Sequence, residues 1–210
     1  GKLEHLIMAN ALLPQILSID PKPLFAWFAP AAVRALLASN NHNRANEWYS
    51  MLLGQLAVGP QNAALALELW PLMQITDSDA LVDDGMMHEW WESQAGVVTP
   101  ESQEHAESFL LILSAVGKNV NNTYWLRLLS GPLKSESKRT SEAFNRIFSE
   151  SVANFRVGEV VLLGIIALGS GDLEDLELNT VMMVVSAFWQ VGLKEEAQTL
   201  ALEAALMKGF

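Results

Sequence analysis

Cysteine is absent from these 210 residues. That excludes disulfides, thiolate nucleophiles and cysteine-ligated metals, and it favours a periplasmic or secreted setting, where stray thiols are a liability. Long apolar runs are missing too. The closest, Val157–Leu168, contains Glu159 and falls short of the roughly 20 residues that a membrane-spanning helix needs. Its all-round apolar character instead predicts a helix buried between neighbours. Strand patterning is absent, since no apolar/polar alternation with β-branched enrichment lasts beyond a few residues. Lys and Arg are absent from Ala45 through Gly117, where Glu47, Glu68, Asp77, Asp79, Asp83, Asp84, Glu89, Glu92, Glu101, Glu104 and Glu107 accumulate. Acids and bases balance in the rest of the chain, so this stretch carries the whole net charge of −11. Such a surface repels nucleic acid, which is bound through clustered Lys and Arg. No initiator Met is present. The chain opens Gly1-Lys2 and reads as a fragment of a longer one, with any signal peptide lost upstream.

What is there is helix. Half the residues are hydrophobic, enough for one substantial core over 1–210. Prolines and caps mark the boundaries. Lys2–Leu13 is an amphipathic opener ended by Pro14, and Pro30 starts a helix to Ser39. Asn43 is placed to cap the next helix, and Pro60 starts another running to about Gln74. An acidic loop region at 75–99 encloses a short helix, Met86–Ser93. Thr99-Pro100 supplies cap and first turn for a helix to Val116, closed by Gly117. Asn122–Ser130 is short and leads to a basic linker at 131–139 with Lys134, Lys138 and Arg139. Thr140 or Ser141 opens Glu142–Phe155, Val157–Leu168 follows, and Asp172 or Asn179 caps what comes next. Asn179–Val191 and Lys194–Lys208 form a terminal hairpin. The expected class is all-α, built as stacked antiparallel helical hairpins, with an irregular helical bundle as the alternative.

Two stretches, Val33–Leu52 and Val185–Ala204, share a helix–turn–helix pattern. Superposed, Val33 falls on Val185, Ala35 on Ala187, Asn40 on Gly192 and Ala45 on Ala197. Asn40 and Gly192 stand where a helix must end in a residue tolerant of positive φ. In the second copy Leu193, Ala197, Leu200, Ala201 and Ala204 share one helical face. With Phe188 in the preceding helix, this hairpin resembles a tetratricopeptide repeat over about 25 residues. It departs from that family in lacking the opening Trp-x-x-Leu-Gly and the closing Pro, and the period is not held along the chain. The resemblance implies a helical-hairpin fold. The last third, from Arg156 to Gly209, is similar to the C-terminal end of a group of alphaproteobacterial proteins, a resemblance that brings no activity with it.

Chemistry-bearing strings are few. His88-Glu-Trp-Trp-Glu92 is one residue away from the zinc-protease pattern His-Glu-x-x-His, with Glu in place of the second His. On a helix, His88 and Glu92 share a face and could ligate a metal, with Glu89 as base and a third ligand from Asp83, Asp84 or His105. Asp77, Asp79, Asp83 and Asp84 do not match a calcium loop, which needs a Gly and a distal Glu at fixed places. Gly169-Ser-Gly-Asp172 lacks the Lys and preceding strand of a phosphate loop. No histidine belongs to a Ser/His/Asp order with a strained nucleophile turn. No cofactor is expected.

Seven tryptophans remain to be placed. Most are expected to be packing wedges, but two clusters read as contact surfaces. One is Met86, Met87, Trp90 and Trp91 beside Asp83 and Asp84, an aromatic and Met-rich surface rimmed by acids. The other is Leu24, Phe25, Trp27 and Phe28, flanked by prolines. The functional expectation is a non-catalytic interaction or scaffolding module. Its partner would be a protein or peptide carrying basic residues, with no nucleic acid and no membrane insertion. The alternative is a metal-dependent hydrolase or lyase using His88, Glu89 and Glu92.

Overall fold

The computed structural model describes residues 13–77, 81–95, 99–129, 142–169 and 176–210. Among them the regular structure is helical and no strand occurs. The chain is all-α. Its contacts divide it into two compact units, Gly1–Thr76 with Phe210, and Asp77–Gly209, where composition suggested one domain. No helix among the described residues is long and apolar enough to cross a membrane.

The first unit contains α1 (13–18), a 3-10 helix at Pro23–Phe28, α2 (Ala29–Ala38), α3 (His42–Leu53), a 3-10 turn at Leu56–Val58, and α4 (Pro60–Thr76). The helical turns of α1 run past Pro14 rather than ending at it. α2 stops because Asn40 adopts φ 58°. Its N–H then reaches Leu37 O, and the N–H of Asn41 reaches back to Leu36 O at 2.8 Å, the paired closure of a Schellman turn. Asn41, and not Asn43, stands at the N-cap of α3. α2 packs against α3, and Val33, Leu36 and Leu37 of the one and Ala45, Trp48 and Leu52 of the other are all buried. α4 packs on both and runs through Pro71 to Thr76. Arg34 ties the unit together by donating to Phe210 O (3.0 Å) and Glu68 Oε1 (2.8 Å).

The second unit contains α5 (Asp84–Ala95), α6 (Pro100–Ala115), α7 (Asn122–Leu129), α8 (Glu142–Ala153), α9 (Val157–Leu168), α10 (Leu178–Gln190) and α11 (Lys194–Met207). α6 begins as its sequence predicts. Thr99 Oγ1 accepts from Ser102 N at 3.1 Å and Ser102 Oγ from Thr99 N at 3.0 Å, a reciprocal capping box. α10 is the hub and packs against α6, α8, α9 and α11. Consecutive packing accounts for the run from α8 to α11. The contacts of α6 with α10 and α11 are non-consecutive, as in a bundle gathered around a central helix. The terminal hairpin packs as expected: Ala197, Ala201 and Ala204 are buried, and Leu200 joins Val184, Phe188 and Val191 in one apolar cluster. Glu177, not Asn179, is the N-cap of α10. The opener 1–12, Asp79, the basic linker with Lys134, Lys138 and Arg139, the caps Thr140 and Ser141, and Asp172 lie outside the described residues.

Candidate interaction surfaces

Asp83 starts α5. Its Oδ1 accepts from Met86 N at 2.9 Å and its carbonyl from Met87 N at 2.9 Å. The helix therefore begins at Asp84 and extends to Ala95, longer than the short helix expected inside an acidic loop. That length sorts the side chains. Met87, Trp90 and Trp91, at i, i+3 and i+4, form the inner stripe and are buried. The Trp90 ring lies 4.5 Å from the Phe109 ring and 6.0 Å from the His105 ring, tilted to both, and Trp91 lies 5.3 Å from the Tyr124 ring. Met86 is half-buried. The expected contact surface of Met86, Met87, Trp90 and Trp91 is thus corrected to a seam that holds α5 in its unit. Glu89 lies on the opposite side of the same helix, while Asp83 and Asp84 stand at its N-terminal end. Asp83, Asp84, His88, Glu89 and Glu92 are all exposed.

The metal alternative has the same helix under it. His88 Nδ1 and Glu92 Oε1 are 4.0 Å apart, at i,i+4. Glu92 Oε1 also accepts from Arg127 Nη1 at 3.1 Å, and that guanidinium lies over the Tyr124 ring. Among the described residues no three His, Asp or Glu side chains converge on a point that could hold a metal ion. Asp83 is engaged in capping. His105 faces the Trp90 side of the helix, its pKa lowered by burial against the opposing effect of its bond to the Lys208 backbone. A groove of ≈ 240 Å³ between α8 and α10 is lined by Phe148, Ser149, Val152, Ala153, Met183, Ser186, Ala187 and Gln190, none of them charged.

The Leu24–Phe28 cluster behaves differently. Pro23 opens a 3-10 helix whose Ala26 is buried, while Phe25 and Phe28 are half-buried. Leu24 is 79% and Trp27 73% exposed. The ring of Phe28 lies 5.7 Å from Trp27 on one side and 5.7 Å, edge-on, from the fully buried Trp48 on the other. Trp27 therefore ends an aromatic row rooted in the core. The segment leading in is clamped by Arg44, which donates to Ile19 O at 2.8 Å and pairs with Glu47 and, at 3.7 Å, with Asp20. Lys22 pairs with Asp20 at 3.8 Å. Sequence reading found the exposed pair but missed Arg44, whose role depends on a carbonyl 25 residues away.

A second exposed surface was also missed. α9 was expected to be buried all round, yet only Val160 and Gly164 of that helix are buried, and Leu162, Ile165 and Ile166 face outward. Comparison with family models, curated proteins and solved structures finds no match to this chain.

Proposed function

We propose that the chain is a non-catalytic interaction module that holds a protein or peptide partner through the ridge formed by Leu24 and Trp27. The observation that carries this reading is Trp27 itself, a tryptophan largely in water on a segment fixed by Pro23, Phe28 and the Arg44 clamp. A rigid exposed aromatic loses little conformational freedom when covered, which is why tryptophans dominate the energetics of interfaces. The charges nearby, Asp20, Lys22, Arg44 and Glu47, pair among themselves, so the contact is apolar first. The net charge of −11 acts at longer range and favours a partner carrying Lys and Arg.

A photo-cross-linking residue at position 27 of the full chain, expressed in its native cells, tests the reading. The expected result is a discrete protein adduct that disappears when Leu24→Ser is added. Binding of the captured partner should weaken by roughly tenfold or more in Trp27→Ser, with the melting temperature unchanged. Full-strength binding by Trp27→Ser would place the site elsewhere.

A further inference from the structure

Phe210 is buried, although the two residues before it are exposed. α11 ends at Met207, Lys208 and Gly209 lie in water, and Phe210 is 3% exposed. By its contacts Phe210 belongs to the first unit, the one residue beyond Thr76 that does. There Arg34 Nε of α2 donates to its carbonyl oxygen at 3.0 Å. The same guanidinium is held from its other side, where Nη2 donates to Glu68 Oε1 of α4 at 2.8 Å. Glu68 thus balances the charge of Arg34 and aims it. The arrangement reads two features of one residue, a buried aromatic ring and a main-chain oxygen. Lys208 is anchored without help from Phe210. Its N–H reaches Ala204 O at 3.1 Å, its backbone bonds to His105, and its ammonium lies 3.9 Å from Glu104. Gly209, with φ 86° and no atom within 4 Å of where a Cβ would stand, is the joint between the anchored Lys208 and the buried Phe210.

We propose that Phe210 is the tethered occupant of a peptide site on the first unit, and that a peptide presenting an aromatic residue beside an accessible main-chain carbonyl takes its place. The ligand class follows from the occupant: a ring for the slot and a backbone oxygen for Arg34. This site is distinct from the Leu24–Trp27 ridge, where the chain offers a side chain rather than receiving one. Rotation about Gly209 carries Phe210 in or out while α11 keeps its last turn. Docking orders few residues and is repaid by one ring and one charge-assisted hydrogen bond, so release costs only a small part of the stability of the chain. A tether this short holds Phe210 at an effective concentration of about 1 mM or above. The site is therefore closed to weak ligands and opens to those that bind better than its own residue.

The test supplies the occupant in trans. The probe is a fluorescent, C-terminally amidated peptide with the sequence of residues 203–210, titrated into the full chain. Phe210→Ala empties the slot and leaves Arg34 and Glu68 in place. The probe is expected to bind this variant saturably, and roughly tenfold or more tighter than wild type, whose slot is filled by its own residue. Exchanging the Phe of the probe for Ala should weaken that binding by roughly tenfold, as should adding Arg34→Met to the Phe210→Ala chain. The altered probe leaves the protein untouched, so the test stands even where Arg34→Met disturbs the fold. The proposal is overturned by a Phe210→Ala chain that binds no probe up to about 1 mM, by equal binding to wild type and Phe210→Ala, or by full-strength binding of the Ala-containing probe.

Discussion

At the scale of single residues, Gly117 and Gly192 separate two reasons for glycine. Both close a helix with positive φ, 72° and 91°. A Cβ on Gly117 would fall 2.2 Å from Trp189 Nε1, whereas nothing lies within 4 Å of one on Gly192. Gly192→Ala therefore bears only the left-handed penalty, about 1–2 kcal/mol. Gly117→Ala bears that penalty and must also displace Trp189, so a loss about 1–3 kcal/mol larger is expected, read as the difference in urea-unfolding midpoints. Equal losses would show that Trp189 gives way without cost. The sequence announced the turns at Asn40, Gly117 and Gly192, because a residue tolerant of positive φ after an apolar periodic run is a local signal. It could not announce the turn at Phe155, whose conformation contradicts its residue type. Nor could it reveal Trp189 over Gly117, which depends on how α6 meets α10.

At the scale of elements, α5 shows how a helix can be misread while its residues are correctly singled out. Met87, Trp90 and Trp91 were picked for their chemistry and placed at a surface because acids surround them. Treating 84–95 as one continuous helix turns Met87, Trp90 and Trp91 inward and leaves Glu89 facing away from them. The Asp83 cap that allows this was hidden within a cluster of four aspartates. Trp90→Ala should therefore cost about 3–5 kcal/mol of stability, while Glu89→Ala should change it by less than about 0.5 kcal/mol. A Trp90→Ala chain as stable as wild type would return the residue to the surface. In the terminal hairpin, where reading and structure agree, Ala197→Glu puts a carboxylate at a fully buried helix contact. Several kcal/mol of destabilisation is expected there, and an unchanged melting temperature would contradict the packing. α9 was misjudged for the opposite reason to α5. Its composition is apolar on every side, so periodicity could not distinguish an inner face from an outer one.

At the scale of the whole molecule, all-α architecture was legible because strand patterning is absent and caps are frequent, whereas the division into two compact units leaves no mark in composition. Net charge is also a whole-molecule property, and it complicates any pH experiment. Acidification protonates carboxylates and relieves the repulsion of a chain at −11, which by itself favours the compact state. His105 works against that trend. Burial lowers its pKa in the folded chain below the ordinary value of 6.5, with the bond to the Lys208 backbone opposing. Between the lowered folded value and the unfolded value, the unfolded chain binds more protons, so stability rises with pH across that window and is lost as pH falls through it. His105→Gln retains an N–H donor for the Lys208 carbonyl but does not titrate. Urea unfolding of both proteins at pH 7.5 and pH 5 should show the wild type losing more stability on acidification than the variant, with the carboxylate background common to the two. Parallel losses would mean that the imidazole stays as hydrated in the folded chain as in the unfolded one, contrary to its place beside Trp90.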